Sequence, residues 1–196
     1  MDNGWATVIA LDPGGTTGWS VMCVETDALC DPEISILKSI VHWRQGEIAI
    51  GDEDDHVAAL VELLAAWPHA AVVIEDFILR KYLQGREMLS PVRITAKVGY
   101  CFNRGLEGIE PPGRKIFLQQ PSLAMKTATD DRLKDWGLYV REGGQGHARD
   151  ATRHAITFLR RVSEKPMLRA TAWPWIYDPS GGLHDCSLDA FDFEDA

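Results

Sequence analysis

Three carboxylates stand where α/β proteins place their chemistry. Asp12 closes the apolar run from Trp5 to Leu11, Glu75 closes the run from Ala71 to Ile74, and Asp150 lies one turn into the last long helix-forming segment. Carboxylates gathered at the ends of adjacent strands repel one another unless a cation holds them, and hard oxygen ligands suit Mg²⁺ or Mn²⁺. Two such ions about 4 Å apart can activate a water and stabilise the leaving oxygen of a phosphodiester. Each acid also has an ordinary reading. Asp12 before Pro13-Gly14-Gly15 can cap a turn, and Asp150 can be a first-turn helix acid. Glu75 is more telling, because burying a charge costs several kcal/mol unless it is paired. Asp76 is its rival: strand alternation sends the two side chains to opposite faces, so only one joins a site. His147 lies three residues before Asp150 and His154 four after it, so the three share a helix face. His147 is expected to join the cluster, and His154 to support it from behind or to pack.

The elements that must position these groups follow from apolar spacing. Trp5–Leu11 and Thr17–Val24 read as strands joined through the turn at Asp12-Pro13-Gly14-Gly15, forming a hairpin. Ile34–Trp43 reads as a third strand, Asp54–Trp67 as a helix with acids in its first turn, and Ala71–Ile74 as a buried central strand. Ser90–Arg104 reads as a helix with two apolar stripes: Val92, Ala96 and Tyr100 on one, Ile94, Val98 and Cys101 on the other. A helix apolar on two sides is expected to be covered on both, one side by the core and the other by a second subunit. Lys115–Gln119 reads as the last strand, Ser122–Met125 and Asp130–Trp136 as short helices, and His147–Val162 as the final helix. This βββαβα order predicts an α/β fold: a mixed five-stranded sheet, its first three strands antiparallel, with helices on both faces. Residues 1–162 form the expected domain, and 163–196 an acidic, Trp- and Pro-containing tail, irregular or partly disordered.

The net charge of −9 hides a strong asymmetry. Residues 1–79 carry fourteen acids and two bases, residues 80–161 sixteen bases and eight acids, and residues 162–196 seven acids and two bases. A basic middle section can meet a polyanion even in an acidic protein. No apolar run approaches the ~18 residues that span a bilayer. The N-terminus lacks a basic stretch followed by an apolar core, so a cytoplasmic protein without signal peptide or membrane partner is expected. Cys23, Cys30, Cys101 and Cys186 include no C-x-x-C pair, which argues against structural zinc and for free thiols.

Several segments, taken in order, resemble the RuvC family of Holliday-junction resolvases within the RNase H-like fold. Ile9-Ala10-Leu11-Asp12-Pro13-Gly14 is followed by Thr17-Gly18-Trp19. Val73-Ile74-Glu75-Asp76-Phe77 is similar to that family's strand-end glutamate. Pro121-Ser122 through Met125-Lys126 resembles the segment ahead of its last helices, and His147-Ala148-Arg149-Asp150-Ala151 its closing helix. The likeness covers roughly residues 5–162, and the acidic tail suggests a divergent, phage-type member. The resemblance implies a homodimer that binds four-way DNA junctions in the cytoplasm of a bacterial or phage-infected cell. Paired nicks by water attack, leaving 5′-phosphates, would follow. It also implies that Asp12, Glu75 and Asp150 hold the metals, a pair of Mg²⁺ or Mn²⁺ ions, with His147 a fourth ligand or a proton-handling group and no small-molecule cofactor. The family places an aromatic residue near the strand-exchange point soon after the glutamate; Phe77 and Tyr82 are the positions available here. Arg80, Lys81, Arg86, Arg93, Lys97, Lys115 and Lys126 are the expected phosphate contacts.

Two other classes compete. Asp12-Pro13-Gly14-Gly15-Thr16-Thr17 also resembles the first phosphate loop of actin-like ATPases and sugar kinases, running from Asp12 through Gly15 to Thr17, where backbone N–H groups cradle phosphates. Those proteins carry a second such loop, for which Gly143–Gly146 is the one candidate. A non-catalytic junction-binding scaffold is the other reading, and the retained acids weigh against it.

Overall fold

The computed structural model describes residues 4–31, 33–49, 51–77, 89–104, 115–140 and 146–174. The described chain runs β1 (Trp5–Asp12), β2 (Thr17–Glu25), α1 (Thr26–Cys30), a 3-10 turn (Ile36–Lys38), β3 (Ile40–Ile48), α2 (Glu53–Ala66) and β4 (Ala71–Glu75). It continues through α3 (Ser90–Arg104), β5 (Ile116–Gln119), α4 (Pro121–Thr127), α5 (Asp130–Asp135), α6 (Gly146–Glu164) and α7 (Pro166–Ala172). The strands form one mixed sheet in the order β3-β2-β1-β4-β5. β1, β2 and β3 are antiparallel neighbours, and β4 lies parallel to both β1 and β5.

Alternation divides the central strands between two cores. Ala6, Val8 and Ala10 of β1 with Ala71 and Val73 of β4 face α6, where Ala155, Phe158, Leu159 and Val162 cover them. Ile9 and Leu11 with Val72 and Ile74 face α2 and α3, against Leu60, Leu64, Ile94 and Val98. The first face is rich in alanine, and α6 presents Ala148, Ala151 and Ala155 to it, all buried. Small residues on both sides let the helix approach closely. The approach is tightest at Gly18, where an added Cβ would run into the backbone carbonyl of His147. A capping box starts α2, with the Asp52 side chain accepting from Asp54 N and Asp55 N while Asp55 accepts from Asp52 N.

The structure departs from the sequence expectations in three places. The third strand is not Ile34–Trp43 but Ile40–Ile48. Bonds from Lys38 N and the Ser39 hydroxyl to the Ser35 carbonyl close a turn over its first half. The polar stretch through Gln45 and Glu47 is drawn into the sheet by pairing with β2. Helix α1 has no counterpart in the apolar spacing. The expected irregular tail from 163 is helical as far as Ala172: α6 runs to Glu164, α7 follows, and Trp173 is fully buried. The Trp173 ring meets Phe158 edge-on at 6.1 Å, and its Nε1–H donates to the Thr7 carbonyl at 3.1 Å. No helix among the described residues is long and apolar enough to cross a membrane.

Candidate active site

β1 and β4 end side by side. Their parallel register pairs Leu11 with Ile74, so Asp12 and Glu75 are the next residues on adjacent strands. Parity then separates Glu75 from Asp76. Glu75 continues the Ala71, Val73 face that α6 covers, and Asp12 continues the matching Val8, Ala10 face. The two carboxylates therefore emerge on the same side of the sheet, beneath the start of α6. Asp76 is engaged by its backbone instead, its N–H donating to the Gln119 carbonyl at 2.9 Å.

Helix α6 brings one partner to each acid. His147 Nδ1–H donates to Asp12 Oδ2 at 2.7 Å, joining residues 135 positions apart in the chain. His154 Nε2 lies 2.9 Å from Glu75 Oε2. Asp150 forms an ion pair with Arg153, one turn on. The Arg153 guanidinium is buried; it also pairs with Asp130 and donates from Nε to the Ala128 carbonyl at 2.9 Å. The helix is anchored over the sheet by Thr152, whose hydroxyl lies 3.1 Å from Ser20 Oγ and 2.7 Å from Gln45 Oε1. At its first turn, Ala148 N–H donates to Glu47 Oε1 at 3.1 Å.

Burial pushes the Asp12 carboxyl above the usual carboxylate range. The hydrogen bond from His147 opposes that shift, and the charges of Glu75 and Asp150 add to it. The hydrogen bond to Asp12 raises His147 above the ordinary imidazole value, with burial opposing and Asp12, Glu47 and Asp150 adding to the rise. Among the described residues no three His, Cys, Asp or Glu groups enclose an ion as they stand. The donor chemistry nonetheless fits a hard divalent cation: three carboxylates and one imidazole, with mutual carboxylate repulsion felt at the buried Asp12. The bonds from His147, His154 and Arg153 each engage one oxygen of their acid.

The remaining sequence candidates are scattered. Arg93 makes a two-pronged pair with Glu53, and Lys97 pairs with Asp54 at 2.5 Å, so both bases tie α3 to α2. Lys115 and Lys126 are exposed, and Phe77 is half-buried just beyond Glu75. Arg80, Lys81, Tyr82 and Arg86 lie outside the described residues, as does most of Gly143–Gly146. In the Gly14–Thr17 turn, the Gly14 N–H points to the Thr17 hydroxyl at 3.3 Å, and that hydroxyl also contacts the Gly14 carbonyl at 3.2 Å and His56 Nδ1 at 3.0 Å. Sequence reasoning missed Glu47, Arg153 and Gln119. Only the three-residue spacing of Asp150 and Arg153 offered a signal.

The sheet order and the helix lying across its β1–β4 ends define an RNase H-like α/β fold. Solved RuvC structures share it. A Thermus thermophilus RuvC in complex with Holliday junction substrate superposes with a TM-score of 0.52 at 17% identity, covering 86% of this chain and 98% of that one. Another T. thermophilus RuvC structure gives 0.51 at 17% identity, covering 85% and 98%. At this identity the likeness is one of fold. No protein-family model and no curated protein matches the sequence.

Proposed function

We propose that this chain is a metal-dependent endonuclease for branched DNA, four-way junctions above all, acting as a homodimer in the cytoplasm. The observation that carries the reading is the convergence of Asp12 and Glu75 at paired strand ends beneath the His147–Asp150 turn of α6. The RuvC-like fold supports it, since one of the similar structures holds a Holliday junction. Asp12, Glu75 and Asp150 would hold Mg²⁺ or Mn²⁺, with His147 beside them. Such ions, when bound, supply an activated water and a Lewis acid at the leaving oxygen.

The chain's own groups have definite tasks. Asp12 and Glu75 fix the negative charge at the rim of a rigid sheet, so the cluster is positioned before substrate arrives. His147 keeps its proton on Nδ1 against Asp12 while nearly half of its side chain remains accessible, which suits a group that meets a phosphate or a leaving oxygen. Lys115 and Lys126 offer exposed positive charge for the DNA backbone. The Val92 and Tyr100 stripe of α3 is exposed at 45% and 62%, leaving an apolar strip for a second copy. The deciding experiment compares cleavage of a mobile four-way junction with linear duplex, a flap and an RNA–DNA hybrid, in Mg²⁺ and in Mn²⁺. Junction-selective, metal-dependent nicking is expected. Equal cleavage of linear duplex would remove the branched-DNA assignment, and ATP hydrolysis without nicking would favour the phosphate-loop reading.

A further inference from the structure

We propose that Gln119 and His154 form a positioning relay for Glu75, in which Gln119 selects the tautomer of His154 and His154 holds the Glu75 carboxylate in the site. The proposal rests on the reading of Glu75 as a site residue. Gln119 sits directly across from Glu75 in the β4–β5 register, so both side chains leave the sheet on the α6 side. Gln119 and His154 are 2% and 1% exposed, which leaves no room for water to substitute for either.

The direction of every bond in the relay can be assigned. Gln119 Nε2 lies 3.1 Å from the His154 carbonyl, which can only accept, so the amide nitrogen points there. The amide oxygen, Oε1, faces the Arg161 guanidinium at 3.4 Å, a group that can only donate. Both ends thus select the same amide orientation. The second amide proton then meets His154 Nδ1 at 3.0 Å, which leaves Nδ1 an acceptor and puts the ring proton on Nε2. That proton lies on the 2.9 Å contact to Glu75 Oε2. The opposite tautomer would set N–H against N–H at the buried Gln119 and a lone pair against the carboxylate at Glu75, two mismatches at once. Gln119 touches no reacting atom; it acts through His154, and His154 through Glu75. An imidazole donor fixes both the torsion of a site carboxylate and the oxygen it presents, and losing such a supporting partner typically weakens metal binding by roughly 10–100-fold.

The test reads the proton directly. Long-range ¹H–¹⁵N correlation on the His154 ring of the metal-free protein is expected to show Nε2 protonated and Nδ1 bare. Gln119→Glu, which places an acceptor against Nδ1, is expected to protonate Nδ1. Gln119→Met, which keeps the volume and removes the donor, is expected to weaken Mn²⁺ binding about tenfold by calorimetric titration. A wild-type ring protonated on Nδ1 alone overturns the relay, as does a Gln119→Met protein that is folded and binds Mn²⁺ as tightly as wild type. Mn²⁺ titration of Asp12→Asn separates the two levels. Unaltered affinity there removes the site reading itself, whereas the tautomer of His154 reports on the relay alone.

Discussion

Each acid of the candidate site is matched by a donor from one helix: His147 for Asp12, Arg153 for Asp150 and His154 for Glu75. Without a cation these partners offset repulsion among carboxylates that would otherwise be costly at a buried position. Asp12, Glu75, His147 and Asp150 were legible from strand ends and helix spacing. The choice of Glu75 over Asp76 rested on the family resemblance, because parity selects a face only once it is known which face α6 covers. Glu75→Gln is therefore expected to lower cleavage at least a hundredfold, the scale on which a lost charge at a metal site acts. Asp76→Asn should leave the rate within about threefold of wild type, since strand parity turns Asp76 away from the face that α6 covers and its bond among the described residues is made by its backbone N–H. Single-turnover rates of the two variants decide this, and the reverse ranking means the wrong face was chosen. Gln119 was invisible in the sequence because its role depends on β4–β5 register, a long-range pairing that no local pattern encodes.

Among the elements, the start of α6 is the critical one. It can reach Asp12 only because Gly18, paired with Asp12 across the β1–β2 ladder, carries no side chain. Gly18→Ala must push the first turn of α6 outward or fail to fold, so a loss of stability of about 1–3 kcal/mol is expected along with nearly all cleavage. Denaturant titration and nicking assays check it together; a stable, active Gly18→Ala protein contradicts the packing described here. The α2–α3 layer behaves differently with pH. Its Arg93 bond holds Glu53 down to about 2, so the pair's contribution is complete above the ordinary glutamate value near 4.5 and is lost as pH falls through about 2. The stability difference between wild type and Arg93→Met should accordingly shrink between pH 5 and pH 2 in thermal melts, and a constant difference would argue against the pair. Long periodic helices and buried strands were readable from spacing alone. β3 was misplaced because an edge strand's limits are set by its neighbour, and α7 was not read because so short a helix, ending at the single buried ring of Trp173, has no clear periodicity.

At the scale of the whole molecule, the proposed DNA binding requires an acidic protein to carry local positive charge. The sixteen bases between residues 80 and 161 supply it, but not all are available. Arg93 and Lys97 are tied to α2, and Arg153 is buried against two acids. Lys115 and Lys126 remain exposed. Junction affinity should fall steeply with salt, as counterion release requires, and Lys126→Ala should reduce that slope by about one while Lys97→Ala changes it little. Fluorescence anisotropy across a salt series measures both slopes, and equal changes for the two variants would mean that the pairing with Asp54 does not persist when DNA binds. The most direct measurement for the molecule as a whole is the behaviour of Asp12→Asn on a four-way junction in Mg²⁺. Cleavage should disappear while junction binding stays within about twofold of wild type, because the change removes site charge and leaves the DNA-facing bases intact. Cleavage at the wild-type rate in that variant would contradict the assignment of the carboxylate cluster as the active site.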